Sequence, residues 1–352
     1  TVFPDKPYIS LEDPDTRERI QDDPRGFLKT VPDGAILDEI QRLPELLSYI
    51  QGVVDSAGRA GMFILTGSQQ LDLSATISQS LAGRTAILKL LPFTIAEAAR
   101  LGTTPSLDRL LLQGFYPGVH ARQLDPYKAY KNYFETYIQR DLNQLVHLAN
   151  LRLFRKFVRL CAGRIGALCN ASALANEVGV SVPTIQSWLS LLEASFIIFL
   201  LEPFHENIGK RLIKSPKLYF HDVGLAACLL GIESESQLAR DRMRGPLVEN
   251  LVLAELVKKR YNTGLDHNLN FFRDSHHNEV DILFRTGNRL IPYEVKSADT
   301  YTSAFLKGLQ YLEKLFPDRV DSGYVVYTGD AEQQLGNFSL IRYTNVGKTL
   351  HE

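Results

Sequence analysis

Two adjacent carboxylates, Asp38 and Glu39, are the first residues in the chain whose type and spacing could support catalysis. They follow Ile36 and Leu37, apolar residues typical of a buried strand. At the end of such a strand, the first carboxylate can order the Mg²⁺ shell on a bound nucleotide, and the second can polarise the water that attacks the γ-phosphate. The alternative is a strand followed by two acidic residues that cap a helix start.

A second group of chemically capable side chains lies near the carboxyl end, on two strand-like segments joined by a turn at Gly287-Asn288. Side chains alternate along a strand, so Glu294 and Lys296 share one face, and Asp281 can oppose them across the turn. Two carboxylates can hold Mg²⁺ while the lysine stabilises or orients an attacking water. The alternative is a ladder of salt bridges on an exposed hairpin.

Composition excludes several classes of protein. The 352 residues suit two or three domains, and 45% apolar with 22% charged residues is ordinary for a globular protein. The net charge of −1 excludes a polycation but allows a local basic patch. Three cysteines, Cys161, Cys169 and Cys228, argue against a disulfide scaffold or a zinc site. Nothing resembles a signal peptide, and no apolar run is longer than Phe196–Leu201, far short of a membrane span, so we expect a cytoplasmic protein with no membrane segment.

The segments around the first carboxylate pair alternate between strand and helix patterns. Strand-like residues precede both Asp38 and Ser68, and a helical segment that starts at Leu43 lies between them. Such alternation predicts a parallel α/β sheet, in which functional loops lie at the carboxyl ends of the strands. Asp38, Glu39 and Ser68 would therefore emerge at one edge of that sheet.

Four strings in this part, in order and spacing, resemble one prokaryotic group of AAA-type P-loop ATPases: ILDEIQRLPELL (36–47), FILTGS (63–68), SLAGR (80–84) and LPFTIAEA (91–98). The resemblance implies that Asp38 and Glu39 are the Walker B pair and that ATP and Mg²⁺ are the cofactors. It implies that Ser68 occupies the sensor-1 position, and that Arg84 lies close to the nucleotide or a neighbouring subunit. The alternatives are a strand-end turn for Ser68 and a surface salt bridge for Arg84.

The sequence departs from that family at the phosphate-binding loop. Family members carry G-x-x-x-x-G-K-[ST] ahead of the segment that corresponds to Tyr8, and we expect this loop upstream of Thr1. The alternative is a copy of the domain that cannot bind ATP in the usual way. The Gly347-Lys348-Thr349 tripeptide does not replace it, because a P-loop would need glycine at Arg342 and a helix after the threonine.

The middle of the chain is predicted to be helical and to contain a winged helix. Residues 170–198 fit two helices separated by a turn, as in a helix-turn-helix, and Phe196–Leu201 would form a wing strand. Residues 126–215 hold eleven Lys or Arg against six Asp or Glu, which suits phosphate contacts with a nucleic acid, DNA rather than RNA. The predicted recognition helix, 183–188, has no Arg or Lys, so a purely structural role is the alternative.

The carboxyl part resembles the uncharacterised module that often follows these ATPase domains, through strings such as KSPKLYFHDVGLAACLLG (214–231), VENLVLAEL (248–256) and YEVK (293–296). Its D…E-x-K pattern is similar to the core of the restriction-endonuclease-like, PD-(D/E)xK superfamily. That resemblance implies a metal site of Asp281 and Glu294, with Glu249 at the acidic position of the first helix and Lys296 as the catalytic lysine. His221-Asp222 is interpreted as a turn and helix cap.

The sequence therefore predicts an α/β protein in three parts. An AAA-type domain with a P-loop NTPase-type sheet, incomplete at its amino end, covers 1–125. A helical region with a winged helix covers 126–215, and a restriction-endonuclease-like α/β domain covers 216–352. The leading hypothesis is an ATP-hydrolysing protein that acts on or senses nucleic acid.

Two alternatives to this function remain open. One is a metal-dependent nuclease with a regulatory or inactive ATPase part. The other is a non-enzymatic protein-interaction module of a defence or toxin–antitoxin system. The resemblance also implies a homo-oligomer, because AAA-type domains usually complete their site with a neighbour's arginine.

Overall fold

The computed structural model describes residues 2–67, 81–102, 105–137, 151–205 and 215–350. The chain divides into two compact units, Thr1–Ile87 and Leu88–Glu352. The domain boundaries predicted at residues 125 and 215 remain predictions.

The first unit is built on a three-stranded parallel sheet in the order β1-β2-β3. Its elements are β1 (Tyr8–Ser10), α1 (Pro14–Asp22), α2 (Pro24–Thr30), β2 (Ile36–Asp38), α3 (Leu46–Ala57) and β3 (Ile64–Leu65). Asp13 and Asp23 cap α1 and α2, where each side chain accepts a backbone N–H of the first turn. Leu37 of the central strand is fully buried. The predicted parallel α/β arrangement is confirmed for this unit.

The second unit begins with helices that pack around a shared apolar core. They are α4 (Ile95–Ala99), α5 (Leu107–Gln113), α6 (Pro117–Ala121), α7 (Pro126–Tyr137), α8 (Leu151–Ala162), α9 (Ala171–Val178) and α10 (Val182–Ala194). Tyr130 and Phe134 of α7 are buried, as expected for an aromatic stripe that packs between helices. Gly179 ends α9 in the left-handed conformation, and Ser181 caps α10.

A short antiparallel pair, β4 (Ile198–Leu201) with β5 (Lys217–Phe220), follows these helices. The helix-turn-helix of α9 and α10 is thus present with a strand at the predicted wing position, whereas its identity as a winged helix remains a prediction. After β5, the Asp222 side chain accepts the backbone N–H of Leu225 at 2.9 Å and caps the next helix. The predicted role of Asp222 as a helix cap is confirmed.

The carboxyl part is a six-stranded mixed sheet with helices, in the order β10-β11-β9-β8-β7-β6. Its elements are α11 (Val223–Leu229), α12 (Glu235–Leu238), α13 (Arg244–Asn262), β6 (Leu269–Arg273), β7 (Glu279–Thr286), β8 (Arg289–Lys296), α14 (Lys307–Leu315), β9 (Gly323–Tyr327), β10 (Gln333–Leu335) and β11 (Phe338–Arg342). The hairpin predicted at Gly287-Asn288 is confirmed as β7–β8.

Helix α13 joins the helical part of this unit to the sheet, because it packs against α11 and β5 as well as β8. Gly347 and Lys348 lie in a 3-10 turn, Tyr343–Lys348, that packs on α13, and the hydroxyls of Thr349 and Tyr293 are 2.9 Å apart in the interior. In the described part of the chain, every helix is too short or too polar to cross a membrane.

Candidate functional site

Asp38 is the last residue of β2, the central strand of the amino-terminal sheet. In the ladder, it lies beside Ser10 of β1, and the adjacent Leu37 lies beside Leu65 of β3. All three strands run in the same direction, so Asp38 emerges at their carboxyl edge. In open α/β sheets, this edge is where ligands bind.

Two hydroxyl groups from the neighbouring strands hold the Asp38 carboxylate. Tyr8 donates its hydroxyl to Oδ2 at 2.6 Å, and Thr66, directly after β3, donates to Oδ1. These bonds, the one from Thr66 first, lower the pKa of Asp38, because hydrogen bonds to the charged form favour it. Asp38 is therefore an anion at neutral pH, as a Mg²⁺ ligand must be.

Glu39 adopts a backbone conformation that is uncommon for a residue with a side chain, with φ 57° and ψ 48°. The chain leaves β2 through this left-handed residue and enters a 3-10 turn at Ile40–Arg42. Gln41 donates its amide to the Glu39 carboxylate. Strained backbone of this kind is often found at active sites, so the geometry fits a catalytic role for Glu39.

Arg84 pairs with Asp55 at the carboxyl-terminal turn of α3, where its Nη2 donates to Oδ2 at 3.0 Å. Both side chains are more than a third exposed. This contact gives Arg84 a local partner, and a role at a nucleotide would require it to leave Asp55. Ser68 lies outside the described residues.

The second site forms where β7 and β8 stop pairing. The ladder runs from Thr286–Arg289 to Ile282–Tyr293, and the next residues are Asp281 and Glu294. At this point a side chain replaces a backbone carbonyl as the hydrogen-bond acceptor, since Oδ2 of Asp281 accepts the Val295 N–H at 2.8 Å. The predicted proximity of Asp281 to Glu294 and Lys296 is thus present in the structure.

Glu294 is held by Lys296, whose Nζ lies 2.5 Å from Oε1. The other oxygen, Oε2, is buried and has no hydrogen-bond partner among the described residues. Burial and then the negative charge of Asp281 raise the pKa of Glu294 to about 8, although Lys296 opposes this shift. Gly308 of α14 allows this packing, because a Cβ there would lie 2.6 Å from the Glu279 carbonyl oxygen and 3.1 Å from Oε2.

Glu249 projects from α13 into the same cluster. Tyr219 of β5 donates its hydroxyl to Oε1 at 2.5 Å, and the Lys217 ammonium lies 3.4 Å from the same oxygen. Burial and the charge of Asp281 raise the pKa of Glu249 to about 7. Both shifts have one cause, the confinement of several carboxylates in a poorly hydrated space.

Lys217 is a buried cation of this cluster that the sequence reasoning missed. Its side chain is only 3% exposed, and Nζ lies 2.6 Å from Oε1 of Glu279 as well as near Glu249. Burial alone would lower the pKa of Lys217, but Glu249, Asp281 and Glu279 outweigh it and raise that pKa. The sequence did hold a sign of this role. Lys217 and Tyr219 are two residues apart in β5, so both side chains lie on the same face of the strand.

The donor set fits a divalent cation in kind, since it contains three carboxylates and one buried oxygen without a partner. Among the described side chains, however, no group of three or more His, Cys, Asp or Glu is arranged to hold a metal ion. Lys217 and Lys296 supply the positive charge instead. A metal at Glu294 would therefore have to displace the Lys296 ammonium.

Three family models match successive segments of the chain. Residues 4–99 match an AAA domain, residues 104–236 match a domain of unknown function (DUF8612), and residues 244–346 match a second domain of unknown function (DUF4143). The first segment contains Asp38 and Glu39, and the third contains the carboxylates of the second site.

Two curated proteins are similar to this chain: the uncharacterized protein Rv2008c of Mycobacterium tuberculosis and the uncharacterized protein Mb2031c of Mycobacterium bovis. Each is 30% identical over 266 residues, which is 75% of this chain. The chain spans 58% of the length of each relative. The amino-terminal sheet therefore belongs to an AAA-type, P-loop-ATPase-like domain, and the mixed sheet belongs to a DUF4143 domain.

Proposed function

We propose that the protein binds and hydrolyses ATP at the carboxyl edge of the amino-terminal sheet. The observation that best supports this is Asp38, which ends the central parallel strand and whose carboxylate accepts hydrogen bonds from Thr66 and Tyr8 that lower its pKa. Mg²⁺ bound with the nucleotide would supply charge neutralisation at the phosphates. Asp38 would hold that ion, Glu39 would orient the attacking water, and Ser68 would contact the γ-phosphate.

The test is ATP turnover by the intact gene product, including any residues that precede Thr1. Glu39→Gln keeps the shape of the side chain but removes the base, so we expect turnover to fall about 100-fold or more while ATP binding persists. Glu18→Gln, the same change on an exposed face of α1, is the matched control. Absent Mg²⁺-dependent turnover in the wild type, or equal loss in both variants, would refute the proposal.

We further propose nucleic acid, DNA rather than RNA, as the partner on which this ATPase acts, together with homo-oligomerisation. The basic surplus of residues 126–215 supports the first part. Arg84 would contact the nucleotide or a neighbouring subunit after release from Asp55. Homo-oligomerisation is tested by measuring the molecular mass of the wild type and of Arg84→Gln in solution, with and without ATP. An oligomeric state that changes neither with ATP nor with the Arg84 substitution would contradict this role.

The second candidate function is metal-dependent cleavage of a nucleic acid at Asp281, Glu294 and Lys296, with Glu249 as a further ligand. The buried Oε2 of Glu294, without a described partner, favours it, since a cation would satisfy that atom. The carboxylates would hold the metal, which would polarise the phosphate, and Lys296 would orient the water.

Cleavage of plasmid DNA with Mg²⁺ or Mn²⁺ tests this candidate. Asp281→Ala and Lys296→Ala should abolish cleavage, whereas Lys307→Ala, an exposed lysine at the start of α14, should not. Cleavage that survives the first two substitutions would rule out this site. If the protein neither turns over ATP nor cleaves DNA, the remaining alternative is the protein-interaction module of a defence or toxin–antitoxin system.

A further inference from the structure

Helix α8 (Leu151–Ala162) has one buried face and one basic face. Phe154 and Phe157 are fully buried in the core of the second unit. On the opposite side lie Arg152, Lys156 and Arg159, all exposed. Their spacings of four and three residues place them along one line of the helix. These three residues are called the basic face below.

Two acidic residues beside α8 are already paired with other arginines. Glu135 of α7 pairs with Arg155, and Glu177 at the end of α9 pairs with Arg164. Lys156 donates to the backbone carbonyl of Glu177 rather than to its carboxylate. Within the described ranges, no carboxylate lies at salt-bridge distance from the basic face. Its positive charge is therefore available to an outside partner.

The helix that a helix-turn-helix would normally use for base recognition is uncharged on its outer side. In α10 the exposed residues are Pro183, Gln186, Ser187 and Ser190. These side chains offer few groups for a phosphate backbone. The positive charge of this region instead lies on α8, the helix that precedes the pair.

We propose that the basic face of α8 binds the phosphate backbone of duplex DNA without reading its sequence. This rests on the part of the proposed function that makes nucleic acid the partner. Arg152 and Arg159 are seven residues apart, about 10 Å along the helix. That length covers about three base-pair steps of about 3.4 Å each along the duplex axis.

A membrane surface carries similar anionic charge but fits the helix less well. Helices that bind membranes keep an apolar face for insertion between lipids. The apolar face of α8 is already used, because Phe154 and Phe157 pack on Trp188 with ring centroids 5.2 and 5.4 Å away. Only the charged face is left, which suits a backbone of phosphates.

The experiment measures binding of the whole chain to a mixed-sequence duplex of about 20 base pairs by fluorescence anisotropy, across about 50 to 200 mM salt. The test variant is Arg152→Gln/Arg159→Gln. The matched control is Lys307→Gln/Lys314→Gln, which removes two exposed charges at the same spacing on α14. Thermal unfolding followed by Trp188 fluorescence checks that each variant folds.

We expect the α8 variant to bind about 10- to 60-fold more weakly at about 0.1 M salt, and its log–log salt slope to fall by about 1.8, two contacts at about 0.9 each. The control should bind like the wild type, and duplexes of different sequence should behave alike. If the α8 variant binds DNA as well as the wild type, or if only the control variant loses binding, then the basic face of α8 is not the binding surface. Nucleic acid would remain the proposed partner in that case. Absent wild-type binding overturns both, and so does binding to anionic vesicles in place of DNA.

Discussion

Removing the buried ammonium of Lys217 tests whether the carboxylate cluster is held together by this one cation. In Lys217→Met the apolar stem is kept and the charge is lost. The ammonium is 2.6 Å from Glu279 and 3.4 Å from Glu249, and its side chain is 3% exposed. Breaking a buried ion pair by removing one partner costs about 3 to 5 kcal/mol. Because both carboxylates are partly exposed, at 29% and 19%, water relieves some of this cost.

We therefore expect the free energy of unfolding to fall by about 2 to 3 kcal/mol. Urea unfolding in the presence of a chelator measures it, with Trp188 as the probe. Trp188 is the only tryptophan of the chain and lies buried in α10, in the same unit as the cluster. A loss below about 0.5 kcal/mol would mean that Lys217 is not the principal counterion.

A double-mutant cycle separates the ion pair from other effects of the substitution. Lys217→Met and Glu279→Gln, alone and together, should show a coupling energy of about 2 kcal/mol, as for a hydrogen bond between charged groups. The control cycle uses Arg289 and Asp321, a pair of similar length, 2.7 Å, in which both side chains are more than half exposed. Solvent screening should make that coupling unmeasurable. Equal coupling in the two cycles would refute the argument from burial.

Three further predictions concern single side chains. Gly308→Ala should destabilise the second unit by about 1 to 3 kcal/mol, because its Cβ would lie 2.6 Å from the Glu279 carbonyl; urea unfolding that matches the wild type would contradict this. Burial opposes ionisation of Asp274, but four hydrogen-bond donors outweigh it and lower the pKa of this carboxylate to about 2. The charged form therefore contributes about 2 kcal/mol to the free energy of unfolding above about pH 4, and this contribution should be lost as the pH falls through about 2. Asp274→Asn should reduce the loss of stability at low pH, and an unchanged loss would mean that other groups cause it. Thr66→Val should raise the pKa of Asp38 and weaken Mg²⁺-dependent ATP turnover, because it removes a hydrogen bond to the Asp38 carboxylate. The control Thr30→Val, at an exposed threonine of α2, should do neither, and equal effects of the two substitutions would count against the Thr66 bond.

The positions of Asp38 and Asp281 could be predicted from sequence because each follows from a local rule. Polar residues that follow an apolar strand lie at the carboxyl edge of the sheet. A Gly-Asn turn joins two antiparallel strands and fixes which side chains of the two strands lie opposite each other. Both rules use only neighbouring residues. The parallel sheet and the β7–β8 hairpin were therefore foreseen from sequence patterns alone.

The partners of these carboxylates could not be predicted in the same way. Tyr8 and Thr66 reach Asp38 from strands 30 and 28 residues away in sequence, and their contact depends on the order in which strands pair. The pKa values of Glu249 and Glu294 depend on burial, which three-dimensional packing sets. The residue types were visible in the sequence, but their environment was not.

Lys217 carries one more consequence, because it lies within the segment matched by one family model and its partners lie within another. Lys217 belongs to the DUF8612 segment, 104–236, whereas Glu249 and Glu279 belong to the DUF4143 segment, 244–346. When the two segments pack together, Lys217 and the carboxylates leave water, and their mutual contacts offset the cost of burying these charges. The cluster is thus assembled by both segments together, because β5 of the DUF8612 segment delivers Lys217 to carboxylates of the DUF4143 segment.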